Sequence, residues 1–414
     1  MKLIKGKNGE AKIFTDLVEQ AAVEQVQNIM DHEISENAKV RFMPDIHFGK
    51  GATVGTTIRL SENFSEWKVS PNVVGVDVGC AILMYKVQTE DLSEIDLAKL
   101  DSVVNSMVPA GFSVHPNPQD ESFANSAIMG LTFSVPQKTR ERIQLGLGTL
   151  GGGNHFIELG KDEEGNYWLS VHSGSRNLGV QVAKHHQDVA IKKLHEDKVD
   201  IKGVIAKLKA EGRHSEIQDV ISSTKKEHPE ITKEVESLAF LQGQLLKDYL
   251  HDMYIAQAYA ARSREIMLDI IVEAMGLTLV DKFDSVHNFI EHENFEKGTI
   301  RKGATSAKQG ERLVIPLNMR DGSIIAIGKG NSDWNESAPH GAGRMMSRGQ
   351  AKRELSMEDF KQQMSSVYTT SVMESTLDEA PEAYKPAEAI LENIKDSVDV
   401  VHIVKPVYNF KAHD

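Results

Sequence analysis

The stretch Val73-Val74-Gly75-Val76-Asp77-Val78-Gly79-Cys80-Ala81-Ile82-Leu83-Met84-Tyr85 joins two short apolar runs across a glycine-bearing turn. Runs of this kind bounded by glycine indicate strands. The turn between them carries a carboxylate and the only thiol of the chain in an Asp-x-x-Cys spacing, a donor pair suited to a metal ion. The same punctuation recurs up to about residue 175, so this half is expected to be mostly β with motif-bearing loops. Over about residues 182–275 the composition shifts to Lys, Glu, Ala, Leu and Ile and becomes poor in glycine and proline, which predicts a helical insertion. Within it Val235, Leu238, Leu241, Leu245, Tyr249 and Met253 recur every three or four residues, an apolar face expected to dock on the β half. Strands and glycine turns return over 277–353, including 312–316 and 323–328, before a short helix and a closing strand at 400–404. No internal repeat or low-complexity linker is visible. The expectation is an α+β fold, one domain over residues 1–414 containing the helical insertion.

A chain of 414 residues with 40% hydrophobic content can bury a large core without staples. One cysteine excludes an intramolecular disulfide framework, and the first twenty residues lack the apolar region of a secretory signal. No stretch approaches the roughly 20 consecutive apolar residues that cross a bilayer. These features predict a soluble, cytoplasmic protein with no membrane partner. A net charge of −13 argues against nucleic-acid binding through overall basicity, while a local basic groove stays open.

The chemistry concentrates in turns. Pro339-His340-Gly341-Ala342-Gly343-Arg344 presents an imidazole among small residues with a guanidinium beside it, suited to a nucleophile next to a phosphate clamp. Asn154-His155, Val171-His172-Ser173-Gly174-Ser175-Arg176 and Val286-His287-Asn288 place further histidines where strands are expected to end, so they can share a cavity. Asp77, Cys80, His155, His172 and His287 are too many ligands for one four-coordinate ion, and a thiolate bridging two cations accommodates them. Ligand softness suits zinc at least as well as manganese, so these residue types do not choose the metal. A single closed structural zinc site is the alternative. The glycine-rich run 146–156 offers backbone N–H groups that could cradle phosphate. No P-loop and no dinucleotide fingerprint is present. Arg301, Lys302, Lys308, Arg344, Arg348, Lys352 and Arg353 form a basic cluster, read either as RNA phosphate contacts, with Arg344 the favoured one, or as a solvated face.

Through these motifs the chain resembles the RtcB family of RNA ligases. The resemblance extends over Met43-Pro44-Asp45-Ile46-His47-Phe48-Gly49-Lys50-Gly51, the Asp77 to Cys80 turn, 148–158, 172–176, 286–288, 301–304, 328–331 and 340–344. It implies a single mixed α/β domain around a deep central cleft that holds metal and nucleotide. It also implies a GTP- and manganese-dependent enzyme that joins RNA 3′-phosphate or 2′,3′-cyclic phosphate ends to 5′-hydroxyl ends through a histidine-linked GMP, in tRNA splicing or RNA repair. By resemblance, His340 is the nucleophile, Asp45 orients it, and Arg176 is a phosphate or RNA ligand. Asp77, Cys80 and His155 would hold one manganese ion, and Cys80, His172 and His287 the other. GTP contacts would fall on Asn154, His155, Phe156, Ile157, Glu158, His287 and Asn288, on Pro316, Leu317, Asn318, Met319 and Ser323, and on His340, Gly341, Ala342 and Gly343. Tyr384 and Lys411 would complete the base pocket, and Glu158 would select guanine. An archease-type activator is a partner the family implies.

Two departures mark a divergent, bacterial-type subgroup. Many members have Pro-Gly-Ser-Met-Gly where this chain has Pro316-Leu317-Asn318-Met319-Arg320, which is expected to bring a bulkier side chain and a new cation near the nucleotide. A Cys-Ser-Cys-like stretch is replaced by Asn335-Glu336-Ser337-Ala338-Pro339, leaving Cys80 as the only thiol. Two other functions use the same motifs differently. A binuclear phosphoesterase opening cyclic phosphates would need the metal set without His340, and a noncatalytic RNA-binding factor would need the basic cluster without Cys80.

Overall fold

The computed structural model describes residues 1–90, 94–198, 201–219 and 231–412; the portions of the expected helical insertion at 199–200 and 220–230 lie outside the described residues. Two sheets and a long helix carry the site. Edge to edge, the six-stranded sheet runs Lys2–Gly6, Gly9–Ile13, Lys39–His47, Val54–Arg59, Glu296–Lys302 and Asn288–Glu293. The seven-stranded sheet runs Arg312–Asn318, Gly322–Gly328, Val398–Lys411, Phe156–Lys161, Tyr167–Ser173, Ala81–Thr89 and Leu277–Val286, with every neighbouring pair antiparallel. A two-stranded ribbon pairs Ala304–Ser306 with Ser337–Pro339.

Ala81–Thr89 is one of the interior strands. Leu83, Tyr85 and Val87 pack into one core and Ile82 and Met84 into another, which is why its sequence is apolar without alternation. The run before it behaves otherwise. Pro71–Val74 is a short helix with Pro71 in its first turn, and the chain leaves it at Gly75, so Val73 and Val74 belong to a helix and not to a strand. The expectation of a mostly β first half is corrected further by helices Gln20–Asp31, Leu97–Met107, Glu121–Gly130 and Gln137–Gly146. Their signals are local and readable. Ala22, Val26, Ile29 and Met30 make a buried helical stripe, and Asp96 and Asp120 cap the second and third of these helices.

The helical segment is integral to the core. Helix Arg176–Lys198 packs against the 33-residue helix Gly243–Met275, about 50 Å long at 1.5 Å per residue. The long helix buries Tyr249, Met253, Ala256, Ala260, Met267 and Ile271 against both sheets and ends at Gly276, whose left-handed backbone caps it. The single stripe expected over 235–253 is broken. Lys233–Ser237 is a separate helix, Leu241 makes a backbone bridge to Val69, and Leu246 is buried where Leu245 is only half-buried. Pro316 has no N–H to donate and sits in the edge strand Arg312–Asn318, where that lack is tolerated. The closing strand, expected at 400–404, extends over Val398–Lys411 because it pairs on both sides. No helix among the described residues is long and apolar enough to cross a membrane.

Candidate active site

Four strands of the larger sheet begin or end on one edge, and each delivers one side chain there. Cys80 precedes Ala81–Thr89, His155 precedes Phe156–Lys161, His172 lies near the end of Tyr167–Ser173, and His287 follows Leu277–Val286. Antiparallel register brings the four together, with Ala81 opposite both Ser173 and Val286 and Phe156 opposite His172. Cys80 Sγ lies 3.3 Å from His172 Nε2 and 3.6 Å from His155 Nε2. His172 Nε2 lies 3.2 Å from His287 Nε2, and His155 Nε2 lies 3.0 Å from Asp77 Oδ2. The motif around His172 also seats Asp77, since the Ser175 N–H donates to Asp77 Oδ1 at 3.1 Å. Arg264 is fully buried and donates to the Gly79 and Ser173 carbonyls at 3.0 Å each, tying the Asp77–Cys80 turn to the neighbouring strand.

These donors fit a divalent metal. His155 Nδ1 lies 2.8 Å from the Leu150 carbonyl and holds its proton there, so Nε2 presents a lone pair to the Asp77 carboxylate. Two such acceptors stay together only with a proton or a cation between them. Ligands bound to one ion at about 2.1 Å each lie about 3.0–3.4 Å apart, close to the spacings found here. Burial, reinforced by neighbouring histidines, holds His172 and His287 well below their ordinary pKa, so both present neutral imidazoles that could hold a metal. Burial and the nearby Asp77 carboxylate push the Cys80 thiol far up, and a bound cation is what would deprotonate it.

His340 follows the ribbon strand Ser337–Pro339, which pairs with Ala304–Ser306, and the Ala304 N–H donates to the His287 carbonyl at 3.2 Å. The His340 and His287 rings are therefore 4.8 Å apart. Asp45, fully buried in strand Lys39–His47, accepts from His340 Nδ1 at 2.6 Å and from the His340 N–H at 3.1 Å through Oδ2. Nδ1 thus carries the proton, and Nε2 is the nitrogen left for chemistry. Gly343 adopts φ +73°, and a Cβ there would collide with the Asp45 backbone, so glycine lets the histidine loop lie against the strand.

A cavity of about 670 Å³ opens in front of this pair. Asp77, Cys80, His172, His287 and His340 line one part of it. The remaining walls include Asn154, Phe156, Glu158 and Asn288, then Pro316, Leu317, Asn318, Met319 and Ser323, then Gly341, Ala342 and Gly343, with Tyr384 and Lys411. Burial raises the Glu158 carboxyl to about 7, although Asn409 Nδ2 donates to its Oε2 at 2.8 Å and Lys411 adds positive charge. Burial would also raise Glu379, but Lys411 and Arg348 draw it down to about 2, and it anchors Lys411 Nζ and the Tyr384 hydroxyl at 2.6 Å each.

Several expectations need correction. Ile157 lies on the opposite face of its strand from Phe156 and Glu158, fully buried in the core with Leu83 and Leu169, so its side chain does not reach the cavity. The His155 side chain turns to Asp77 and Cys80 and does not line the nucleotide-sized space. Arg176 lies in an adjoining cleft, donating to the Thr149 hydroxyl at 3.2 Å and to the Gly111 carbonyl at 3.0 Å.

The basic cluster is largely structural. Arg301 is fully buried on Glu291 at 2.8 Å, and Lys308 pairs with the same carboxylate. Lys302 is buried on the carbonyls of Lys50 and Asn72, and burial lowers it to about 7. Arg344 lines the cavity but donates to the Asp378 carbonyl at 2.6 Å and pairs with Glu379, while Arg348 and Lys352 pair with Asp378. The glycine run spends the N–H groups of Gly148, Thr149 and Leu150 inside the fold, which leaves less of a phosphate cradle than expected. Arg320 does not line the cavity; it pairs with Asp321, and Asn318 closes the same turn with Asp321.

Asn409, Glu379, Arg264 and Lys385 also support the site. Lys385 Nζ donates to the Pro44 and Ile46 carbonyls on either side of Asp45, at 2.8 and 3.2 Å. No motif marks these four, because most of their partners lie far away in the chain.

The family model described as tRNA-splicing ligase RtcB matches residues 25–132 and 121–412. Among curated proteins, the RNA-splicing ligase RtcB of Escherichia coli K12 is 29% identical over 444 residues, covering 99% of each chain. The tRNA-splicing ligase RtcB of Archaeoglobus fulgidus is 26% identical over 459 residues, covering 93% of this chain and 88% of its own. The RNA-splicing ligase RtcB2 of Escherichia coli ATCC 25922 is 24% identical over 409 residues, covering 91% and 87%. With the seven-stranded sheet, the long helix and the strand-end cluster inside the matched segments, the chain belongs to the RtcB family of RNA-splicing ligases.

Proposed function

We propose that this protein seals RNA breaks, joining 3′-phosphate or 2′,3′-cyclic phosphate ends to 5′-hydroxyl ends at the expense of GTP, in tRNA splicing or RNA repair. The observation that carries the reading is the Asp45–His340 pair at 2.6 Å, with Asp45 fully buried and His340 facing a cavity that metal-type donors also line. Nε2 of His340 attacks the α-phosphorus of GTP, the bond to the β-phosphate breaks, and pyrophosphate leaves. Asp45 holds the Nδ1 proton and stabilises the positive charge that develops on the ring. An oxygen of the RNA 3′-phosphate then displaces the imidazole from GMP, and the 5′-hydroxyl oxygen displaces GMP from the activated end. A cyclic phosphate is first opened by water to the 3′-monophosphate. Asp77, Cys80 and His155 would hold one manganese ion and Cys80, His172 and His287 a second, and bound ions would neutralise phosphate charge. Arg176 would meet an RNA phosphate, and an archease-type activator would raise turnover.

Glu158 would choose the base. As a carboxylate it can accept both the N1–H and the 2-amino group of guanine, with Tyr384 and Lys411 closing the pocket. Because its carboxyl sits at about 7, GTP use should rise as pH climbs through 7, and Glu158→Gln should erase the preference for GTP over ATP. The same shift has a stability consequence. Between pH 4.5 and 7 the native protein keeps a proton that the unfolded chain releases, so stability falls across that window as pH rises. Glu158→Gln removes this cost and should be the more stable protein at pH 8 by roughly 1–3 kcal/mol, with little difference at pH 4.5. Thermal melts at the two pH values check it.

Asp45→Asn should slow guanylylation by about 10²–10⁴-fold, with GTP binding and the fold retained, because the imidazole loses its charged partner. Single-turnover label transfer from GTP measures this directly. The reading as a whole is tested by incubating the protein with manganese and GTP radiolabelled at the α-phosphate, followed by denaturing electrophoresis. An acid-labile, alkali-stable label on the chain is expected. A protein that binds metal yet never takes up label would shift the reading to a binuclear phosphoesterase.

A further inference from the structure

A second cleft of about 320 Å³ adjoins the catalytic cavity and shares Val76 and Asp77 with it. Phe112 forms its outer wall with 78% of the residue exposed, at the tip of a turn over 110–113. The ring belongs to none of the hydrophobic clusters among the described residues. The backbone beneath it is nevertheless tied down. The Gly111 N–H donates to the Gly151 carbonyl at 2.9 Å, Arg176 Nη2 to the Gly111 carbonyl at 3.0 Å, and Arg142 Nη2 to the Phe112 carbonyl at 3.1 Å. Gly151, at φ +86°, has no side chain where the Arg176 guanidinium lies. The turn is thereby fastened to the glycine loop that carries Asn154 and His155, so the backbone that presents the ring is held in register with the active site.

We propose that Phe112 is the stacking platform for an unpaired nucleobase beside the RNA break, with the adjoining phosphate facing Arg142 and Arg176. The proposal rests on the RNA-ligase reading above. A bare aromatic face on a fixed turn, next to guanidinium groups, is what a single-stranded end requires, since every base has a π-face and every nucleotide a charge. Val76 and Val180, 36% and 40% exposed, give the same cleft an apolar floor. Arg142 and Arg176 outnumber the one carboxylate lining this cleft, Asp77, so on a chain of net charge −13 the cleft is locally positive and complements a polyanion. Because stacking is indifferent to base identity, the site would recognise an open strand and not a sequence.

The test uses the full-length protein and RNA pairs bearing 3′-phosphate and 5′-hydroxyl ends. Phe112→Ala should raise the RNA KM about tenfold while leaving RNA-free guanylylation and kcat at saturating RNA unchanged, and Phe112→Trp should restore the KM. An abasic site placed in turn at each nucleotide flanking the break identifies the stacked base. At that one position it should weaken the unaltered protein to the level of Phe112→Ala and leave the variant unaffected. Normal guanylylation with an unmoved RNA KM in Phe112→Ala overturns the platform alone, as does an equal abasic penalty in both proteins at every position. Absence of guanylylation in the unaltered protein would instead remove the ligase reading on which the platform depends.

Discussion

His340→Ala should leave a folded protein that takes up no GMP and joins no RNA, with ligation reduced by at least about 10³-fold. The side chain is partly exposed at the cavity and its loop is held by the backbone, with the Lys385 N–H on the Gly343 carbonyl at 3.0 Å and the Met345 N–H on the Ala383 carbonyl at 2.9 Å. Removing the ring therefore deletes the proposed nucleophile without unseating the loop. What it leaves behind is Asp45, buried and deprived of its main partner, so a modest drop in the thermal midpoint is expected as well. The loss of covalent label and the loss of ligation should coincide. Ligation that survives without label would mean that another group carries the nucleotidyl step. Cyclic-phosphate opening that survives unchanged, with no ligation in either protein, would favour the phosphoesterase reading.

Cys80→Ala should have an effect of similar size through a different link. Cys80 Sγ lies 3.6 Å from His155 Nε2 and 3.3 Å from His172 Nε2, so the buried thiol reaches both proposed half-sites. Neither half-site would retain more than two protein donors from the proposed sets, so metal affinity should fall at both. The readout need not involve catalysis. A ligand that binds only the native state at 100 times its Kd adds about 2.7 kcal/mol of stability, so manganese should raise the melting temperature of the unaltered protein and leave that of Cys80→Ala nearly unmoved. Metal analysis after dialysis should find two ions per chain in the first and none in the second. A variant that still gains stability from manganese and still ligates would show that the thiol is a packed core residue only.

The histidines, the Asp77–Cys80 turn and the His340 loop were legible because each is a local feature. A glycine-punctuated run ends a strand, a strand end points its side chains out of the sheet, and neither statement needs a distant partner. The same locality made 312–316 and 323–328 readable as strands, and the motifs together were enough to identify the family.

Tertiary structure decided the rest. Period-two alternation says that Ile157 and Glu158 point opposite ways, but only the packing of the seven-stranded sheet tells which one meets the cavity. Arg301 and Lys308 read as free cations until strand Asn288–Glu293 brings Glu291 beside them. Glu379 and Asn409 carry no signature because their roles arise from contacts made across 32 and 251 residues of chain. The sequence by itself determined which groups could do chemistry. Which of them share a cavity, and which are spent neutralising a buried neighbour, was settled by pairings between remote strands, where burial makes an unpartnered charge too costly to leave alone.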